Sequence, residues 1–289
     1  MSSVANPEVL TWPPRRGLNL FVLAKWIAAG GVIALLYAEV VSEMVRDWWI
    51  QPDLSHGLLI PPLAVYFAVR RRAALLAAAK APHWGGFVLV AFSSVGYLLG
   101  RLGAEFFLQR ISLVVLMAGL ILTFWGPVRL RLLVFPLVLL AAMVPLPALV
   151  YNWLAAPLQL FASDVATETA RLLGISVYRN GNIIHLAGIT LGVEEACSGL
   201  RSLSSLLVAS LLIGQVREAR TRTRLLLFAL ATPLAIVMNV VRVSGTAVLA
   251  DYRESLAMGF YHSFSGWLVF VAGFLALLAV AKFLQSILD

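Results

Sequence analysis

Long apolar runs separated by short polar breaks dominate the chain. A surface helix of a soluble protein turns a polar face outward every few residues. These runs do not. They continue for roughly the 20 residues that cross a hydrocarbon core. The pattern predicts helices at about 18–40, 57–70, 84–100, 106–125, 130–147, 200–216, 225–250 and 263–285. The second run is short and opens on Pro61-Pro62, which predicts a kink or a partly inserted start. The first run is long and lacks a small-residue cleavage site, so it reads as a retained helix and not a removed signal peptide. The expected fold is an all-α polytopic membrane protein with about eight transmembrane helices. Residues 1–289 form one integral membrane domain.

Residues 148–199 break the rhythm. Leu158–Leu173 has helical spacing with Ser163, Asp164, Thr167 and Glu168 among its apolar positions, which predicts a small amphipathic helix lying at the interface. Asn180-Gly181 then separates two β-branched runs, the signature of a tight β-hairpin. A further extended piece, Ile189–Val193, leads directly to Cys197 and the sixth span.

Composition agrees with the pattern. Charged residues are 12% of the chain, against about 25% in soluble domains. The net charge of +8 does not point to nucleic acid, because the basic residues cluster in short loops. Arg15-Arg16, Arg70–Arg72 with Lys80, Arg129 with Arg131, Arg217, Arg220, Arg222 and Arg224, and finally Lys282 all fall on one side of the predicted bundle. Glu43, Asp47, Asp53, Glu105, Asp164, Glu168, Asp251 and Glu254 fall on the other. The positive-inside rule then puts both termini in the cytoplasm and residues 148–199 on the outer face.

That topology gathers three reactive side chains at one leaflet. Cys197, the only cysteine, precedes the sixth span; Arg242 lies inside the seventh; His262 precedes the eighth. An unpaired thiol in an oxidising compartment needs a reason to be there. An arginine inside a span costs roughly 2.5–3.5 kcal/mol on the lenient insertion scale and is a functional hypothesis by default. Together the three suit acyl transfer. Cys197 is the nucleophile, its thiolate favoured at a helix N-terminus. His262 is the general acid and base, and Arg242 stabilises the oxyanion or positions the carbonyl. Asn239, three residues before Arg242, shares its helix face and holds the guanidinium. Arg201, four after Cys197, supports the thiolate or a substrate carboxylate, with interfacial snorkelling as its structural alternative. Glu194 and Glu195 orient His262, bind a cation or solvate the hairpin edge; His56 contacts substrate or stabilises its loop. Trp48, Trp49 and Trp267 fit an interfacial belt. The histidines show no metal-ligand spacing, and no cofactor or metal is expected.

The segments Glu194–Ser202 (EEACSGLRS), Asn239–Gly245 (NVVRVSG) and His262–Gly266 (HSFSG), with Asp53–Pro62 (DLSHGLLIPP), resemble the motifs of the exosortase/archaeosortase family in order and spacing. The resemblance runs from about residue 50 to 275 and places the chain with the bacterial exosortases, since archaeal relatives carry arginine where His262 stands. It implies a multi-pass enzyme of the bacterial inner membrane with its active site facing the periplasm. Such an enzyme cleaves C-terminal sorting signals of the PEP-CTERM kind from secreted proteins, linked to exopolysaccharide export, as a cysteine protease or transpeptidase. Cys197, Arg242 and His262 match the family's three site residues. The implied partners are membrane lipids and those secreted proteins, and the acceptor stays open among water, a lipid amine and a sugar-linked amine. The extra C-terminal soluble domain of many exosortases is expected to be absent or separate. The competing reading is a transporter or permease for a lipid-linked or exopolysaccharide substrate, which predicts inverted repeats meeting at the midplane. A non-catalytic scaffold leaves Arg242 without a role.

Overall fold

The computed structural model describes residues 20–193, 200–253 and 259–288. Ten α-helices lie in these segments: α1 Leu20–Ile50, α2 Ile60–Arg70, α3 Arg72–Ala77, α4 Gly85–Leu102, α5 Phe106–Trp125, α6 Pro127–Ala141, α7 Ala148–Leu172, α8 Leu200–Val216, α9 Thr221–Tyr252 and α10 Gly259–Leu288. Among the described residues, four stretches are long and apolar enough to cross a membrane: α4, α5, α9 and Phe264–Leu288 of α10. Residues 54–70 and 201–216 form shorter apolar helices. The chain is therefore a multi-pass membrane protein, mostly helical. Many of its largest apolar side chains face outward, Leu35, Phe92 and Leu149 among them, as lipid-facing residues do.

Three features differ from the sequence expectation. First, α1 continues to Ile50, ten residues past its apolar run, because its polar C-terminal turns find partners. Asp47 pairs with Arg110 of α5, whose side chain is only 8% exposed. Trp48 is buried in a core with Met44, Ile60, Phe67 and Met143, and its indole N–H donates to the Met143 carbonyl at 3.3 Å. Trp48 is thus a core residue, whereas Trp49 and Trp267 are exposed as a belt requires. Second, the chain enters α2 through a 3-10 helix, Pro52–Leu59. Gly57 lies in it against the Trp48 indole.

Third, α7 starts at Ala148, well before the predicted amphipathic helix, and its polar residues do not all face water. Ser163 and Thr167 are buried, their hydroxyls donating to the carbonyls four residues earlier at 2.7 Å. Only Asp164 and Glu168 are exposed. Ala155, Ala162, Ala166 and Ala170 complete the buried face, and α7 packs closely on α9. Small residues inside with Trp153 and Phe161 outside is the inverse of a soluble amphipathic helix and suits helix contact in lipid.

Strands β1 (Val177–Asn180), β2 (Ile183–Leu186) and β3 (Thr190–Gly192) form an antiparallel meander. Gly181 takes the positive φ of 62° that the Asn180-Gly181 turn demands. Alternation sends Ile184 and Leu186 inward. Ile184 and Val193 share a buried cluster with Ala162 and Ala166 of α7 and Val243 of α9, while Leu186 meets Ala250. Arg179 pairs with Asp164, fastening β1 to α7. The sheet is thereby fixed to the end of α9 remote from its arginine-rich start.

That other end is tied as well. Arg217 and Gln285 exchange hydrogen bonds, and Arg220 donates to the Leu288 carbonyl, joining the α8–α9 turn to the end of α10. Arg129 donates to the Ala78 carbonyl, joining α6 to the segment before α4. Helices α8, α9 and α10 share a core of Leu206, Ala209, Ile213, Leu227, Ala231, Ala235 and Leu277, in which alanines let the helices approach.

Candidate functional site

The site is built where α8, α9 and α10 meet below the sheet. Asn239 and Arg242 sit on the buried face of α9, 4% and 9% exposed. Their spacing of three places them side by side on one helical surface. The Thr246 hydroxyl donates to the Arg242 carbonyl at 2.9 Å, one turn on. Helix α9 ends at Tyr252 and not at Ala250, so Arg242 lies about 15 Å from its end and about 32 Å from Thr221.

Helix α10 approaches Arg242 through a glycine. A Cβ built on Gly266 would lie 3.2 Å from Cζ, 3.2 Å from Nη2 and 3.4 Å from Nε of Arg242. His262 lies on α10 one turn before Gly266. Helix α8 begins at Leu200 and runs antiparallel to α9: Leu203 faces the Asn239 level and Leu206 the Met238 level. Arg201, half-buried, is in its first turn, with the Ser204 hydroxyl bonded to its carbonyl at 3.1 Å. A groove between α7, α8 and α9 opens beside Asn239, lined by Leu158, Phe161, Ala162, Leu203, Ala235, Ile236 and Val240. It is apolar except for Asn239.

Cys197, Glu194 and Glu195 lie outside the described residues. Both flanks of their segment are described. Val193 is buried with Val243, the neighbour of Arg242 on α9, and its N–H and C=O are held by Asn182. Leu200 opens α8. The chain therefore leaves beside Arg242 and returns at the helix next to it.

The chain matches the transmembrane exosortase family over residues 48–279. It belongs to that family. No curated protein and no solved structure matches it. The matched span of this exosortase takes in Arg242, Asn239, His262 and the whole segment around Cys197, together with the Trp48–Gly57 contact. Among the described residues, no group of three His, Cys, Asp or Glu side chains is placed to hold a metal ion.

Three further histidines are described. His56 lies on the 3-10 helix that packs on α1, α2 and α8, in the neighbourhood of the Trp48 core. His83 and His185, for which the sequence suggests no partner, each have one. The His83 Nδ1 accepts from the Gly85 N–H at 3.1 Å and so caps α4. His185 bonds the Thr190 hydroxyl at 3.2 Å across the sheet and stacks on Tyr178. Gly245 and Gly266 both read from the sequence as close-packing residues; Gly245 has open space around it, whereas Gly266 is tight against Arg242. That Arg242 is the partner of Gly266 has no local signal in the sequence, because the contact joins two different helices.

Proposed function

We propose that this exosortase is a membrane-embedded cysteine protease or transpeptidase that cleaves C-terminal sorting signals of the PEP-CTERM kind from secreted proteins through a Cys197 acyl-enzyme. The observation that carries this reading is the buried Arg242 on α9, packed against α10 one turn from His262 and bordered by the sheet that leads to Cys197. Three peptide steps from Cys197 to Leu200 reach at most about 11 Å, so the thiol is tethered close to the start of α8.

The chemistry balances with these groups alone. The Cys197 thiolate adds to the scissile carbonyl, and Arg242 receives the developing oxyanion. The C–N bond breaks as the His262 imidazolium protonates the leaving amine, which departs with the substrate's membrane helix. The product is a thioester on Cys197. An acceptor O–H or N–H then adds to the thioester carbonyl, His262 takes its proton, and the C–S bond breaks to return the thiolate. Water as acceptor gives hydrolysis, whereas a lipid or sugar amine gives transpeptidation. Asn239 steadies the guanidinium, and Arg201 favours the thiolate or holds a substrate carboxylate. Glu194 and Glu195 border the nucleophile.

The topology follows the same reading: eight spans in one domain, both termini in the cytoplasm, and the site at the periplasmic face of the inner membrane. The ties among Arg217, Arg220, Gln285 and Leu288 support one basic side for the α8–α9 turn and the end of α10. In this reading a substrate anchored by its own helix reaches the site laterally, between helices.

The test is processing of a tagged substrate ending in a Val-Pro-Glu-Pro motif, a membrane helix and a basic tail. Cys197→Ala and Cys197→Ser should insert at wild-type level and leave the substrate uncut. Full processing by Cys197→Ala refutes nucleophilic catalysis.

A further inference from the structure

We infer that Gly266 is a positioning residue, whose bare Cα seats the flat face of the Arg242 guanidinium against α10 and so sets the distance between that guanidinium and the His262 turn. The inference rests on the transpeptidase reading for its functional consequence. The contact itself stands on geometry.

The three distances decide how the groups meet. A Cβ approaching the guanidinium edge-on, between Nε and Nη2, would be closer to both nitrogens than to Cζ. Here Cζ, at 3.2 Å, is as near as Nη2 and nearer than Nε at 3.4 Å. The glycine therefore lies against the face of the planar group. The in-plane N–H donors run parallel to the α10 surface, and one helix wall limits their movement. A side chain as long and mobile as arginine gains most from such a wall, since its planar fork aims donors only when the plane is fixed.

Glycine is favoured by contact distance here and not by backbone freedom, because Gly266 is in the body of a helix. A methyl group prefers about 3.5–4.0 Å to its neighbours. An alanine would push the guanidinium, or all of α10, outward by several tenths of an ångström. His262 moves with α10, so either response changes the Arg242–His262 separation. A misplacement of about 1 Å costs roughly 100-fold in rate, so half that displacement costs roughly tenfold.

Helix α10 supplies its own control. A Cβ on Gly273 would lie 3.3 Å from Met238 Cγ and 3.4 Å from Leu206 Cδ1. The fit is nearly as tight, but the neighbours are flexible apolar chains away from the arginine. Gly266→Ala should reach the membrane in normal amount and lower kcat about tenfold, with KM within about twofold. Gly273→Ala should stay within about twofold of wild type in both. Adding Arg242→Lys to Gly266→Ala should cost much less than Arg242→Lys alone, since both changes disturb one contact. Equal losses in Gly266→Ala and Gly273→Ala, independent losses at 266 and 242, or a normal kcat in Gly266→Ala would each overturn the inference. If Gly266→Ala fails to insert, Arg242→Ala should restore insertion by vacating the clash, and failure to do so refutes the seat. If Cys197→Ala still processes substrate, the catalytic reading fails separately; non-additive thermal stabilities of the 266 and 242 variants then still report the contact, and additive ones overturn it.

Discussion

Gly57→Ala tests whether the segment ahead of α2 is held by the Trp48 indole. The added Cβ would lie 2.4 Å from Nε1, 2.5 Å from Cδ1 and 2.7 Å from Cε2 of Trp48. Ordinary contact needs about 3.5–4.0 Å, so the ring must move by about 1 Å or more. It has little room, being 4% exposed among Met44, Ile60, Phe67 and Met143. Overpacking of this kind costs about 1–3 kcal/mol. Losing the bond from the indole N–H to the Met143 carbonyl adds about 1 kcal/mol. Replacing glycine in a helix returns about 0.5–1 kcal/mol, leaving a net loss of about 1–3.5 kcal/mol. At about 2–4 °C per kcal/mol, the midpoint should fall by about 2–14 °C. Thermal denaturation of the detergent-purified protein, followed by loss of the monodisperse species, reads this directly. Gly31→Ala is the control, because nothing lies within 4 Å of a Cβ there and α1 should gain slightly. If Gly57→Ala is as stable as Gly31→Ala, the indole does not lock this segment.

Two ion pairs make opposite predictions in the same assay. Arg110 is 8% exposed and its partner Asp47 28%, so Asp47→Asn should destabilise by about 3 kcal/mol by stranding the arginine, and adding Arg110→Met should recover most of the loss. The Asp164–Arg179 pair is more open, with Asp164 59% exposed, so Asp164→Ala should cost no more than about 1 kcal/mol, and less in high salt.

The apolar runs carried the positions of α4, α5, α8, α9 and α10, since bilayer-length hydrophobicity is a strong local signal. The β1–β2 turn was equally legible, because Asn180-Gly181 suits few other conformations. What stayed hidden depended on partners. The last turns of α1 look polar until Asp47 meets Arg110 and Trp48 enters a core made by α2 and the residues after α6. The face of α7 misleads because a buried hydroxyl bonded to its own helix reads like a wet one: Ser163 and Thr167 have polar formulas and buried positions. The candidate site rests on three motifs and a spacing in the sequence. That a glycine is the surface on which Arg242 rests was not, because contact between helices distant in sequence leaves no local pattern.

The length of α9 bears on why the site lies where it does. Its 32 residues extend about 48 Å, against roughly 30 Å of hydrocarbon. With Arg220, Arg222 and Arg224 at one headgroup layer, Arg242 falls at the opposite boundary and the last ten residues project beyond it. The alanine face of α7 and the sheet cover that projection, Ile184 and Val193 against Val243 and Leu186 against Ala250. An arginine at the boundary costs far less than one at the midplane, because headgroups and water remain within reach. A transport site belongs near the midplane. A site that cuts a chain anchored by its own helix belongs where the first residues outside the hydrocarbon emerge. In the proposed topology, Arg242 at that boundary fits the proposed peptide cleavage better than transport, and a cross-link between the substrate's cleavage motif and the arginine-rich end of the bundle would refute it.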